Sequence, residues 1–175
     1  MRLLLITISL FSLFFFWVNL VSAESTATSS STVNSYELFW PLAAGRTEDD
    51  TLYFLKILKE QIMGIFLFDD TKKADYAIEL GTKRVLETEK LLKSGKVNLA
   101  LNALEKGGTQ YTLAYELIKK ADSKKKFSAS GIRRDRLTNV KRLVDYLRTT
   151  SDEKTYPSLS KVKEKVDALL SDYLP

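Results

Sequence analysis

The side chains on which most enzymes and metal sites depend are missing from this chain of 175 residues, which contains no histidine and no cysteine. Zinc, haem, copper and iron–sulfur centres nearly always recruit one of these two residues, so such centres are not expected. Neither a Ser–His–Asp nor a Cys–His nucleophile system can be assembled. Acid–base chemistry would depend on carboxylates, lysine or tyrosine. We therefore expect no catalytic site, no metal site and no cofactor.

Two pairs of neighbouring aspartates are the remaining candidates for chemistry, and each stands where a helix is expected to begin. Asp49-Asp50 precede an apolar stretch, and Asp69-Asp70 precede a lysine-rich one. At such positions carboxylates accept hydrogen bonds from free backbone N–H groups and complement the helix dipole. A glycosidase-like pair would need a cleft between two acids, which the sequence does not define. Helix capping is the expected role, and a carboxylate-based hydrolase stays a minor alternative.

Positive charge is concentrated in residues 119–148, which carry eleven basic side chains against three acidic ones. Such a field attracts polyanions, and outside the cytoplasm these are anionic lipids, wall polymers or released nucleic acid. The candidate polyanion patch consists of Lys124, Lys125, Lys126, Arg133, Arg134 and Arg136. A solvated loop followed by the polar face of a helix explains the same charges. Only Phe127 interleaves with the lysine run, so specific nucleic-acid binding is not expected.

The first 23 residues have the layout of a secretory signal peptide. A basic residue precedes 19 uncharged residues, Leu3 to Val21, and the small residues that follow predict cleavage between Ala23 and Glu24. The competing interpretation is an uncleaved single-pass anchor, because this run is just long enough to span a bilayer. Residues 24–35, mostly Ser, Thr and Ala, are expected to be a disordered spacer. We therefore expect an exported protein that is secreted, periplasmic or held at the cell surface.

The remaining chain, residues 36–175, is expected to fold as one all-α domain, a bundle of about five helices. Apolar residues recur at helical spacing five times, and strand patterns are weak. The first helix is expected to be capped near Thr47 and to carry the stripe Leu55, Leu58, Ile62 and Ile65. Further aromatic and aliphatic side chains widen this stripe, so this helix should be the most buried. The aromatic cluster at 36–41 is expected to cover the bundle, with an exposed ligand platform as the alternative.

The second and third helices, at about 71–93 and 96–121, are expected to form a long antiparallel hairpin, because only Ser94-Gly95 separates them. Both carry heptad-spaced seams, which predict left-handed packing. Folding them about this turn places Gly81 opposite Gly108, which would bring the backbones close together or leave a notch for a side chain of the first helix. The alternative is that Gly107-Gly108 breaks the third helix. Exposed heptad positions are also compatible with a dimer.

Two further helices are expected in the basic C-terminal part, residues 119–175. One runs over about 130–150 with its apolar face at Leu137, Val140, Val144 and Leu147. The other opens at residues 155–157, with a proline near its first turn. Its stripe is Leu159, Val162, Val166, Leu169 and Tyr173. These helices are expected to complete an all-α bundle with the long hairpin at its centre.

A string of residues in the first two helices forms a recognisable motif. The residues that carry it are Tyr53, Phe54, Leu55, Lys56, Leu58, Lys59, Glu60, Phe68, Asp69, Lys72, Lys73, Ala74, Leu80, Lys83, Arg84 and Glu87. The motif resembles an uncharacterised bacterial domain of unknown function found in predicted exported proteins. The resemblance covers about residues 41–118 and departs from the family pattern at Asp70, usually Pro, and at Gly81, usually Ala. It implies an exported helical domain whose motif residues serve packing and capping, and it implies no reaction.

Together these features predict an exported, non-catalytic helical module that mediates contacts at the cell envelope. Its partner would be an envelope protein or an anionic envelope polymer. The alternative is a polyanion-binding module that uses residues 119–148, whose binding would weaken with salt. Membrane contact is expected only through an uncleaved N-terminal segment or through the basic patch.

Overall fold

The computed structural model describes residues 33–123 and 131–173, and in these two stretches the chain forms six α-helices and no β-strand. They are α1 (Ser35–Phe39), α2 (Tyr53–Ile65), α3 (Asp70–Lys93), α4 (Val97–Ser123), α5 (Gly131–Thr150) and α6 (Tyr156–Tyr173). The prediction of an all-α helical bundle is confirmed. None of these helices is long and apolar enough to cross a lipid bilayer. The predicted signal peptide, its cleavage site Ala23–Glu24 and residues 24–32 of the predicted spacer lie outside the described residues. The end of the predicted spacer is ordered, because Asn34 caps α1 and Ser35 is its first residue.

Helices α3 and α4 form the long antiparallel hairpin that the sequence predicts. The turn between them is a Schellman motif with Gly95 in the left-handed region, at φ 70°. The Gly95 N–H donates to the carbonyl of Leu92, and the Lys96 N–H donates to the carbonyl of Leu91, both at 2.9 Å. These bonds satisfy carbonyls that the end of α3 would otherwise leave free.

The start of α3 is capped as expected. The side chain of Asp69 accepts hydrogen bonds from the backbone N–H groups of Thr71 and Lys72, at 2.9 and 3.0 Å. Asp70 is the first residue of the helix, where its negative charge complements the helix dipole. The capping role predicted for this pair of acids is therefore confirmed.

The glycines of the hairpin allow two close contacts. Helix α4 runs unbroken through Gly107 and Gly108, so the alternative that they end the helix is wrong. A Cβ on Gly107 would lie 3.4 Å from the carbonyl oxygen of Gly81, which places the close backbone approach one residue from the expected register. The space beside Gly81 is filled by the ring of Tyr111 on α4, not by a side chain of the first helix. Two ring carbons would lie 2.8 Å from a Cβ added there.

Helices α5 and α6 close the bundle by packing on each other and on the hairpin. Their predicted apolar faces are buried, at Leu137, Val140, Val144 and Leu147 on α5 and at Leu159, Val162, Val166 and Leu169 on α6. The short α1 packs on α5, where the Asn139 side-chain amide donates to the carbonyl of Leu38 at 2.9 Å. Phe39 is buried, but Tyr36 and Trp40 are exposed, so the aromatic cluster covers the bundle only in part.

Helix α2 departs most from the prediction. It begins at Tyr53, well after the expected cap at Thr47, and its N-cap residue, Leu52, makes no side-chain hydrogen bond. Asp50 closes the preceding turn instead, by accepting from the Leu52 N–H at 2.8 Å. Only Tyr53 and Glu60 of this helix are buried. The prediction that the first helix is the most buried one is therefore wrong.

Candidate functional site

Polar side chains fasten α2 to α3, and they meet in a buried cluster of charges. Glu87 on α3 is fully buried, and one of its carboxylate oxygens accepts from both Lys56 and Arg84. Its other oxygen accepts from the Tyr53 hydroxyl at 3.2 Å. Arg84 also donates to Glu60 from its second terminal nitrogen. We call Tyr53, Lys56, Glu60, Arg84 and Glu87 the charge cluster.

The charge cluster also holds the segment that precedes α2. The Lys56 ammonium donates to the carbonyls of Ala44, at 2.5 Å, and Arg46, at 2.9 Å. The ammonium groups of Lys56 and Lys106 lie 5.7 and 5.5 Å from the centre of the Tyr53 ring, which is within cation–π range. The cluster therefore links this segment, α2, α3 and α4.

Burial and charge act against each other on the pKa values of the cluster. Desolvation lowers the pKa of the Lys56 ammonium below its usual value, against the opposing effect of Glu87. Desolvation also disfavours the charge on Arg84, but Glu87 and Glu60 outweigh it, so the pKa of the guanidinium is raised. Burial, with the nearby Glu87 carboxylate, raises the pKa of the Tyr53 hydroxyl. Every buried side-chain nitrogen and oxygen in the described stretches has a hydrogen-bond partner, as in a structural ion network.

The side of α2 that points away from the hairpin is apolar. Met63 is exposed on one flank of α2, and with 3.6 residues per turn the other exposed apolar residues fall on the side opposite Tyr53 and Glu60. They are Phe54, Leu55, Leu58, Ile62, Ile65 and Phe66, between 45% and 71% exposed, and we call them the α2 apolar face. A surface helix of a globular protein normally turns its apolar stripe toward the core. Helix α2 has the reverse orientation, with charges inside and apolar side chains outside.

This apolar surface continues beyond the end of α2. Phe68, in the turn between α2 and α3, is 86% exposed. Lys59 is the one charged residue of α2 outside the charge cluster, so no carboxylate interrupts the α2 apolar face. Contiguous exposed apolar surface of this kind is typical of an interaction site.

A cleft of about 580 Å³ lies on the other side of α2, between this helix and the hairpin. Its apolar walls are formed by Ile57, Leu67, Ala77, Leu80, Leu113 and Leu117. Glu60 and Arg84 of the charge cluster also line it. The cleft exists because long polar side chains, and not interdigitating apolar ones, connect α2 to α3.

The described residues include only three of the six residues of the predicted polyanion patch, and these three differ in exposure. Lys124, Lys125 and Lys126 lie outside the described residues. Arg133, at the start of α5, binds Asp75 of α3 through its Nε and through a second hydrogen bond of 3.0 Å. Arg134 is exposed, and Arg136 is partly buried.

Other basic residues of the 119–148 segment also form intramolecular ion pairs. Lys120 pairs with Asp70 at 3.1 Å, and Lys141 pairs with Asp167 at 2.7 Å. Such exposed pairs contribute little to stability. They do neutralise part of the positive field on which the predicted patch depends.

Neither member of the acid pair at 49–50 caps α2, so the capping role predicted for this pair is wrong. Asp49 instead binds Lys96 at 2.5 Å, next to the start of α4. The hydrogen bond from Lys96 lowers the pKa of the Asp49 carboxyl to about 2. In the part of the chain that the structure describes, no group of three or more acidic side chains is placed to hold a metal ion.

Sequence reasoning missed the charge cluster, although a signal was present. Lys56 and Glu60 lie four residues apart inside an apolar helix, and Arg84 and Glu87 lie three apart on the next one. Charged residues at helical spacing within apolar stretches predict a polar contact between two helices. All five cluster residues belong to the motif on which the family resemblance rests. Their interpretation as packing and capping residues was therefore wrong, because they are the members of an ion network.

The exposed α2 apolar face predicts that Leu58→Gln changes the free energy of unfolding by less than about 0.5 kcal/mol, because the side chain is already in water. As a contrast, Leu143→Ala in the core of α5 should cost about 2–5 kcal/mol. Urea denaturation of both variants measures the difference. An equal loss in the two variants would show that Leu58 is a core residue, contrary to the structure.

One known protein family matches most of the helical domain of this chain. A family model described as "Domain of unknown function (DUF5667)" matches residues 45–168. The match includes the charge cluster and continues from α2 into α6, beyond the 41–118 range of the resemblance in the sequence. No curated protein and no solved structure matches the chain significantly. The chain therefore belongs to the DUF5667 family of domains of unknown function.

Proposed function

We propose that this protein is an exported, non-catalytic binding module of the cell envelope, and that the α2 apolar face is its binding surface. The reversed orientation of α2 is the observation that carries the proposal. Burying charged groups costs free energy, and leaving apolar area in water forgoes a gain. An orientation that does both is favoured when a partner covers the apolar side.

Two features support binding rather than catalysis. The sequence has neither histidine nor cysteine, the residues most often used as bases and nucleophiles. The buried titratable groups of the charge cluster also bind one another. A carboxylate-based hydrolase needs two acids facing each other across a cleft. Glu60, the acid that lines the cleft, is occupied by Arg84.

Export is part of the same proposal. Residues 1–23 would direct the chain across the membrane, and cleavage between Ala23 and Glu24 would release a secreted or periplasmic protein. Without cleavage, the same segment would hold the domain at the membrane as a single-pass anchor. In both cases the folded domain works outside the cytoplasm, where a domain of this size folds without disulfides if its core is large enough.

A polyanion-binding module is the second candidate, with an anionic lipid or wall polymer as the ligand. It is supported by four exposed basic residues of the 119–148 segment: Lys119, Arg134, Arg142 and Arg148. It is weakened by the ion pairs of Arg133, Lys120 and Lys141.

The absence of cysteine allows a direct test of the first candidate, because a single introduced thiol is the only one in the chain. Leu58→Cys reports on the α2 apolar face. Ile132→Cys is the matched control, since Ile132 on α5 is an exposed apolar residue outside that face. In the purified protein, both thiols should react with a small membrane-impermeant maleimide at similar rates. In intact exporting cells, the Ile132→Cys thiol should still react, whereas the Leu58→Cys thiol should react at least about tenfold more slowly.

Two results would contradict the proposal. Labelling of Ile132→Cys only after cell lysis would show that the chain is not exported. Equal labelling rates at both positions in intact cells would show that nothing covers the α2 apolar face. Mass spectrometry of the recovered chain identifies its first residue and separates the cleaved form from the anchored form.

A further inference from the structure

We propose that the partner of the α2 apolar face is the surface of an anionic lipid bilayer, into which Phe66 and Phe68 insert. This inference rests on the proposed function, since it names what covers the face. It differs from the sequence expectation, which placed membrane contact at the N-terminal segment or the basic patch.

The shape of the apolar surface favours a bilayer. Helix α2 stands away from the hairpin above a cleft, so its outer side is a convex ridge roughly 20 Å long. The ridge ends in Phe66 and Phe68, which are 69% and 86% exposed. A fluid surface adapts to a protruding ridge, whereas a folded protein partner would need a matching groove. Amphipathic helices that bind bilayers lie in the plane of the interface with this kind of face immersed.

The charges around the ridge complement anionic head groups. Lys59 flanks the α2 apolar face, and Lys72 is exposed in the first turn of α3, four residues after Phe68. Basic residues at this position attract anionic lipids, and their aliphatic stems reach from the apolar interior to the head groups.

The acidic side chains of α2 and of the turn that follows it do not oppose such contact. Asp69 uses its carboxylate to cap α3, and Asp70 pairs with Lys120. Glu60, the one acid of α2, is buried on the opposite side of the helix in the charge cluster. The ridge therefore presents apolar and basic side chains toward the bilayer.

The export segment of the proposed function would also bring the domain close to a membrane. Residues 24–32, between the predicted export segment and the described domain, can reach at most roughly 30 Å. With the segment uncleaved, this tether holds the domain at the bilayer at a high effective concentration. With the segment cleaved, the domain is released beside the membrane that it has just crossed.

Site-specific quenching tests the inference on the full chain. Leu58→Cys and Ile132→Cys, each labelled with an environment-sensitive fluorophore, are reconstituted into vesicles of phosphatidylglycerol and phosphatidylcholine in equal parts, with brominated acyl chains as quenchers. We expect the Leu58 label to be quenched at least about fivefold more than the Ile132 label. The quenching should fall in pure phosphatidylcholine. It should also fall when Phe66→Gln and Phe68→Gln are added to Leu58→Cys. Because the N-terminal segment is the same in every variant, the difference between sites reports on the ridge alone.

Three outcomes would overturn the bilayer as partner. The first is equal or absent quenching at the two sites. If the Leu58→Cys thiol is nevertheless protected in intact cells, the proposed function stands and the partner is a protein. The second is protection of the Leu58 label that rises with protein concentration in the absence of vesicles, which would identify a second copy of the chain as the partner. The third is undiminished quenching in the Phe66→Gln, Phe68→Gln variant, provided that circular dichroism shows a folded chain.

Discussion

Replacing Arg84 by methionine is expected to lower the free energy of unfolding by about 3–5 kcal/mol, because breaking a buried ion pair leaves charge without a partner. The guanidinium binds both Glu60 and Glu87, and it is almost completely buried. Methionine preserves most of the length of the side chain but none of its donors. Both carboxylates would then stay buried, with Lys56 as the remaining cation near Glu87. Urea denaturation at neutral pH measures the loss.

The neighbouring residue provides a matched control. Lys83 forms a partly exposed ion pair with Glu79, four residues earlier on the same helix. Because exposed pairs contribute little, Lys83→Met should change the free energy of unfolding by less than about 1 kcal/mol. If Arg84→Met lowered the free energy of unfolding as little as Lys83→Met does, the charge cluster would not be what holds α2 to α3. Restoring part of the loss by adding Glu60→Gln to Arg84→Met would show that the unpaired carboxylate is the cause.

Two glycine-to-alanine substitutions in the hairpin are expected to have opposite effects. Gly81→Ala should destabilise the protein by roughly 1–3 kcal/mol, because the added Cβ would overlap the buried ring of Tyr111. Gly108→Ala should stabilise it by up to about 1 kcal/mol, since alanine is the better helix former. At Gly108 the added Cβ would meet only the flexible side chain of Lys165, at 3.8 Å. Thermal unfolding of both variants measures the two shifts.

The pair also tests the packing of the hairpin itself. If both variants shift the midpoint in the same direction, the ring of Tyr111 does not occupy the space beside Gly81. Combining Gly81→Ala with Tyr111→Leu should cost less than the sum of the two single changes, because the smaller side chain leaves room for the Cβ.

The parts of the fold that local signals determine were predictable from the sequence. Gly95 after an amphipathic stretch predicts the turn of the hairpin, and Asp69 before the next stretch predicts the cap of α3. The apolar stripes of α5 and α6 are buried as their spacing predicts. Each of these signals lies within a few residues of the structure that it specifies.

The orientation of α2 was not predictable in this way. Spacing correctly groups Leu55, Leu58 and Ile62 on one side of the helix, but it does not tell which way that side points. The orientation depends on contacts of Lys56 and Glu60 with residues 31 and 24 positions later in the chain. The register of the hairpin shows the same limit, because Gly107, and not Gly108, approaches Gly81.

The charge cluster has a consequence for the freedom of α2 to turn about its own axis. Apolar side chains tolerate many mutual arrangements, but ion pairs and hydrogen bonds are directional, so the cluster admits a single rotational setting of the helix. Rotating α2 about its axis by a third of a turn would place apolar side chains against α3. It would also break the hydrogen bonds and ion pairs of the charge cluster. Buried ion pairs can specify one arrangement even where they add little net stability. The cluster thus fixes the outward orientation of the α2 apolar face through polar contacts on the other side of the helix.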